Sequence, residues 1–492
     1  NILDGLQSVT FTASSPGFGN GVTSLGVEDA TTAVNLSVSA TTASETGQTV
    51  ITVTATTDKP VIGLQTLNLV VSGTALEVTA NDYSLASSLL TFADGQSIAT
   101  TTFTVTDDAL VELLTEFATI TISNPTLGLA VGPTASQTIA ITDNDSAAFT
   151  IDNVIVTEGS SGTTDAIFTV TLNNAVDTTV TLDYLTGDDT ATAADGDFAA
   201  ANGQLTFAPG AAGATQTITI SVTGDQKVEL NEMFNLNLSN VAAGGRSVTI
   251  ADNQGLATIT DDDTATVSVL DVAAVEGDTG TTVFNVTVAL SAEVDFPVSL
   301  DYSTADGTAV DGVDYTITSG NRTFSANAGG PDTLTLTVLV AGDGIVELDE
   351  TFLINISNLV SGGRNVTIAD AQAVATIQND DAAQLSINNV SIAEGNTGTS
   401  VYTFTITLDS AVDAGVVVDV DTANGTARFG EDYIPNTGTA LSFAGTIGET
   451  QNFSVTVVGD TKVEQDEDFL VNLSRIQASG RDVTIGTGQG VG

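Results

Sequence analysis

The string GDGIVELDETF, Gly342 to Phe352, constrains this chain more than any other stretch. It is an acidic turn running directly into a period-2 segment. Phe352, Ile354 and Ile356 alternate with Thr351, Leu353, Asn355 and Ser357, the pattern of a strand with one buried face. The unit recurs as GDQKVELNEMF from Gly224, GDTKVEQDEDF from Gly459 and, more loosely, DDALVELLTEF from Asp107. Its leading acids Asp108, Asp225, Asp343 and Asp460 are separated by 117, 118 and 117 residues. A chain with that period is a tandem repeat of small domains, each long enough to close its own core.

The repeats span about 33–145, 146–263, 264–381 and 382–492, after a segment 1–32. The third reads most clearly. TATVSVL opens it, and TTVFNVTVAL puts Phe284, Val286, Val288 and Leu290 on one face. PVSLDYST and a short strand near Arg322–Phe324 follow. TLTLTVLV turns Leu334, Leu336, Val338 and Val340 inward, and NVTIADAQAVATIQ closes the unit. Seven short strands with turn signals between them predict an all-β chain of four tandem immunoglobulin-like sandwiches in an elongated array. In the N-terminal segment, QSVTFTA (Gln7–Ala13) and VTSLGVEDA (Val22–Ala30) are strand-like, and SSPGFGNG between them reads as a loop.

Charge then narrows the function. Nine Lys+Arg against 61 Asp+Glu give −52, which repels nucleic acid and anionic membranes and attracts cations. Hydrophobic residues are nevertheless 41% of the chain, too many for an acidic disordered tail. No His or Cys is present, so disulfides, zinc sites and His-based catalysis are excluded. No apolar run approaches the roughly 18–20 residues that span a bilayer. Paired carboxylates suit a glycosidase, but there is no Trp and there are only six Tyr to make a sugar platform. The expectation is a non-enzyme. Asn-x-Ser/Thr sequons such as those at Asn285 and Asn355 lie within strands and read as incidental.

The acids sit where turns should meet. In the third repeat they are Glu276, Asp314, the Asp343/Glu347/Glu350 turn and the exit pair Asp380–Asp381. Loops at one end of a sandwich would crowd them together, and carboxylates so crowded repel unless a hard cation lies among them. Calcium accepts six to eight oxygens in flexible geometry, whereas magnesium keeps its waters. The junctions TDND (142–145), TDDD (260–263) and QNDD (378–381) are short and acidic, unlike Gly/Ser linkers.

DGTAVDGVDY together with GDGIVELDETF resembles the Calx-beta repeat over residues 33–492. The resemblance implies a seven-stranded sandwich holding a calcium cluster near the next domain. Its implied ligands in the second repeat are Glu158, Asp197, Asp225, Glu229, Glu232 and Asp261, Asp262 and Asp263, with the Lys227 backbone carbonyl. The third would use Glu276, Asp314, Asp343, Glu347, Glu350, Asp380 and Asp381. The fourth has Glu394, Asp432, Asp460, Glu464 and Glu467, without exit acids. The first lacks the DGTA string; Asp82, Asp108, Glu112, Glu116, Asp143 and Asp145 fit, while Glu45 fits poorly.

The resulting expectation is a secreted, extracellular or cell-surface structural protein, stiffened by several Ca2+ ions near its repeat junctions. The alternative is the stalk of a large bacterial calcium-dependent adhesin, with a glycan or other surface target undefined. An intracellular calcium sensor of a transporter is the third class. Repeat 4 reaches VTIGTGQGVG where its predecessors continue to an acidic exit. VTSLGVEDATTAVNLSV (Val22–Val38) resembles a junction string, with Glu28 and Asp29 as its acids. This predicts a homopolymer assembled head-to-tail by donor-strand addition, with QSVTFTA as the other candidate donor.

Overall fold

The computed structural model describes residues 7–27, 31–77, 82–126, 128–210 and 212–492. Among these residues the chain is all-β: it contains strands, turns and bends and no helix. By packing it divides into two units, residues 1–225 with 231–261, and residues 226–230 with 262–492. Each unit holds two sandwiches.

Repeat 3, in the second unit, shows the pattern. One sheet runs in the order Asp332–Gly342, Gly280–Leu290, Ala265–Val269, Val366–Asp370. The other runs Val272–Val275, Gln372–Gln378, Glu350–Val360, Val298–Asp306, Ser319–Phe324. Alternation in the sequence places one side of each strand between the sheets. Phe284, Val286, Val288, Leu290, Leu336, Val338, Val340, Phe352, Ile354 and Ile356 are buried, whereas Leu334 is half-buried. Tyr315 stacks on Phe352 at 4.4 Å between ring centroids.

The first and last strands each divide between the two sheets, which a linear reading misses. Val366–Asp370 pairs in parallel with Ala265–Val269, and Gln372–Gln378 pairs in parallel with Val272–Val275. The break frees the chain to cross the core edge, so the elements outnumber a seven-strand count. The same split recurs in repeat 2 at Ala147–Ile151/Val154–Thr157 and in repeat 1 at Thr32–Val38/Thr42–Ser44.

Repeat 4 closes with Val483–Thr487 and Gln489–Val491, the latter antiparallel to Phe469–Gln477. In the first unit, Gln7–Ser15 and Phe18–Val27 form a two-stranded antiparallel hairpin. The expected loop shrinks to the turn Pro16–Gly17, where Gly17 takes a φ of 92° that only glycine adopts cheaply. Glu28 and Asp29 lie outside the described residues.

Candidate metal centre

Each acidic turn starts where two long strands end together. Gly280–Leu290 and Asp332–Gly342 pair along their whole length, finishing at Gly280 opposite Gly342. A side chain on Gly342 would overlap the carbonyl oxygen of Gly277. The GD motif therefore needs its glycine, because the Glu276 loop crosses directly over it. Asp343 then folds its carboxylate back, accepting from the backbone N–H of Ile345 at 2.8 Å. Asp108 does the same for Leu110 and Asp460 for Lys462, both at 2.8 Å.

The third acid is set by a second turn. Asp314 Oδ2 accepts from Val310 N at 2.7 Å, Asp82 Oδ2 from Leu76 N at 2.6 Å, Asp197 Oδ2 from Thr192 N at 2.7 Å and Asp432 Oδ2 from Arg428 N at 2.6 Å. Each of these loops is thus braced before any ligand arrives. Asp314 shares a hydrogen bond with Glu350, Asp82 with Glu116 and Asp432 with Glu467. In each pair the neighbouring aspartate adds to burial in raising the glutamate's pKa.

Within the first unit, repeat 1 brings together Glu45, Asp143 and Asp145, and separately Asp82, Glu112 and Glu116, with carboxylate oxygens in each trio within 4.8 Å of one another. Glu45 and Asp82 are only 4% and 2% exposed. Glu45 Oε2, Asp82 Oδ1 and Asp145 Oδ2 are buried without a hydrogen-bond partner. Burial first, and neighbouring carboxylates second, push Glu45 and Glu116 up to about 8 and Glu112 up to about 9; for Glu116 the hydrogen bond its carboxyl donates to Asp82 is the cause next after burial.

Glu45 fitted poorly by sequence, yet it occupies the repeated position. Its N–H donates to the Thr142 carbonyl at 3.2 Å, as Glu158 does to Thr260 at 3.3 Å and Glu276 to Gln378 at 3.2 Å. The available signal was register: a Glu just beyond a short strand paired in parallel with the exit strand.

In the second unit, Glu276, Asp380 and Asp381 form a trio. Burial and then Asp343, Asp314 or Glu347, as each case requires, push Glu276, Glu347 and Glu350 up to about 7. Asp381 Oδ2 is buried without a hydrogen-bond partner. Asn379 stands where repeat 1 has Asp143: Glu347 N donates to Asn379 Oδ1 at 3.1 Å, and Glu112 N to Asp143 Oδ2 at 3.1 Å. In repeat 4, Glu394, Asp460 and Glu464 converge, while Asp432 and Glu467 form their own pair.

Repeat 2 is divided by packing. Glu158, Asp197, Asp225, Glu232 and Asp261 belong to the first unit; Lys227, Glu229, Asp262 and Asp263 belong to the second. The Lys227 ammonium lies 2.5 Å from Glu229 Oε1.

Sequence reasoning overlooked the residues flanking the turn glutamate. Val111 packs in the core of repeat 2, Val228 in that of repeat 3 and Val346 in that of repeat 4. Val111 N donates to the Ala175 carbonyl at 3.0 Å and Asp177 N to the Val111 carbonyl at 3.1 Å. Ile345–Val346 pairs in parallel with Ala411–Val412. Beside each socket an Arg clamps an Asp with two hydrogen bonds of 2.6–2.7 Å: Arg246–Asp177, Arg364–Asp295 and Arg481–Asp413. The signal was present as V-E-L followed one repeat later by V-D and G-R.

The family model described as the Calx-beta domain matches residues 27–145, 146–263, 261–382 and 378–489. Sodium/calcium exchanger 1 of Bos taurus and of Cavia porcellus are each 26% identical over 191 residues, 36% of this chain and 19% of the exchanger. The chain thus spans about a fifth of the length of those relatives. Among solved structures, the Calx CBD1 domain in apo form is 24% identical over 24% of this chain and 100% of its own, with a TM-score of 0.21. The calcium binding domain CBD12 of CALX1.1 is 17% identical over 45% of this chain and 98% of its own, with a TM-score of 0.24.

Proposed function

Because this chain belongs to the Calx-beta domain family, whose domains bind calcium, we propose that it is a structural array whose carboxylate clusters take up Ca2+ and stiffen the joints between repeats. The carrying observation is the pair of trios in repeat 1, with buried carboxylate oxygens that no donor satisfies. An uncompensated buried carboxylate is costly. A cation that collects many oxygens at variable angles relieves that cost, and calcium does so better than magnesium.

Ion uptake and joint stiffness meet in one turn. Glu347 faces the site while Val346 beside it is anchored in repeat 4. Calcium that fixes the turn also fixes the anchor. The finer reading is a secreted, extracellular protein that assembles head-to-tail into a filament or sheath. It is supported by the net charge of −52 and by a Thr-, Ala-, Gly- and Asp-rich repeat composition with almost no Lys. A calcium-dependent adhesin stalk is the second reading, favoured by the same tandem organisation.

The test is a thermal melt and a solution scattering curve of the full chain, in calcium and in chelator. A site filled at ~100 times its dissociation constant adds about 2.7 kcal/mol. Calcium should raise the melting temperature and narrow the distribution of shapes. Identical melts and curves in chelator would refute the proposal.

A further inference from the structure

The position two residues beyond the turn aspartate alternates along the chain: Leu110, Lys227, Ile345, Lys462. In the lysine-bearing turns the side chain returns to the acids. The Lys227 ammonium lies 2.5 Å from Glu229 Oε1, and that of Lys462 lies 3.5 Å from Asp460 Oδ2 and 4.0 Å from Glu464 Oε1. In the third repeat the same position is apolar and does other work: Ile345 pairs with Ala411 of the next repeat.

On the calcium reading above, we propose that Lys462 is an affinity-determining residue, a resident cation at the exposed edge of the repeat 4 cluster whose ion pairs with Asp460 and Glu464 oppose calcium binding. Lys227 repeats the arrangement in the second repeat, so the chain carries two alternating classes of turn. Asp460 and Glu464 are two of the three acids that converge in repeat 4, and both face the lysine. An ammonium neutralises part of their charge without supplying an oxygen ligand. Calcium entry therefore has to break those ion pairs and leaves the ammonium beside a divalent cation. Leucine or isoleucine at this position imposes neither cost. The chain would then fill its lysine-free turns at lower calcium and its lysine-bearing turns at higher calcium.

Hydrogen exchange of the full chain at a series of buffered calcium concentrations gives a separate midpoint for the turns 343–350 and 460–467. Lys462→Ile should lower the midpoint of 460–467 about fivefold, the scale of one exposed charge interaction, and leave 343–350 unmoved. Ile345→Lys should raise the midpoint of 343–350 by a similar factor. Each variant carries the other turn as its internal control for folding. If both midpoints stay where they are in the parent chain, the lysine is a bystander and the proposal fails. If the parent chain shows calcium-dependent protection in neither turn, the calcium reading itself falls and takes this inference with it.

Discussion

Val346 precedes the site residue Glu347 in repeat 3, yet its side chain is fully buried in the core of repeat 4 and its backbone pairs with Val412. One short segment thus belongs to two domains. Asp413 N closes the contact by donating to the Val346 carbonyl at 3.2 Å. Val463, at the corresponding position in repeat 4, is fully exposed.

Val346→Ala should therefore destabilise repeat 4 rather than the repeat that encodes it. Removing two buried methyl-sized groups costs about 2 kcal/mol. Hydrogen exchange should quicken in Val416–Asn424 and Phe469–Gln477 while Gly280–Leu290 keeps its protection. Loss confined to repeat 3 would contradict the assignment.

Asp343→Ala combined with Glu347→Ala should abolish calcium-linked stabilisation at that site, about 2.7 kcal/mol at ~100 times the dissociation constant, and leave both sandwiches folded. The acids lie in a turn, whereas Leu336, Val338, Phe352 and Ile354 carry the core. Calorimetry in calcium and in chelator reads the difference. A variant that no longer folds in chelator would show that the turn is part of the core.

The raised glutamates fix the sign of the pH dependence without metal. Glu45, Glu116 and Glu112 are pushed up to about 8, 8 and 9, and Glu276, Glu347 and Glu350 to about 7, from an ordinary 4.5. The folded chain binds more protons than the unfolded one between these values, so stability falls as pH rises from about 4.5 through 7–9. In chelator the melting temperature should be higher at pH 5.5 than at pH 8.5. Calcium should reverse the order, because binding expels those protons. A melting temperature in chelator that rises with pH would contradict the burial of these groups.

Arg475→Asn should stabilise repeat 4 by about 0.5–1 kcal/mol. Arg475 sits at a bulge with a φ of 46°; at the same bulge, Asn240 and Asn358 have φ values of 54° and 51°. Asparagine tolerates the left-handed region better than arginine. Its amide also clamps the facing aspartate, as Asn358 does Asp301 at 2.8 Å and Asn240 does Asp183 at 3.1 Å. Chemical denaturation that shows no gain would mean the Arg475–Asp419 ion pair at 3.6 Å compensates.

What could be read from the sequence was whatever repeats locally. Alternation at Phe284–Leu290 and Phe352–Ile356 identified strands and their buried faces, because a strand's side-chain direction depends only on its own backbone. The GD turns were legible for the same reason: an aspartate bonding two residues ahead is a local event. The 117- and 118-residue period then marked the domains.

Glu45 and Asn379 required the fold, since Glu45 owes its place to a strand about a hundred residues away and Asn379 to a turn about thirty residues away. So did the split first and last strands, because which sheet a short segment joins is decided by the edge left open to it. The transfer of Val111, Val228 and Val346 into the core of the following repeat is the clearest such case. A valine beside an acidic turn looks the same whether it covers its own domain or the next. Burial is a property of what surrounds a side chain in space, and only packing between repeats assigns it.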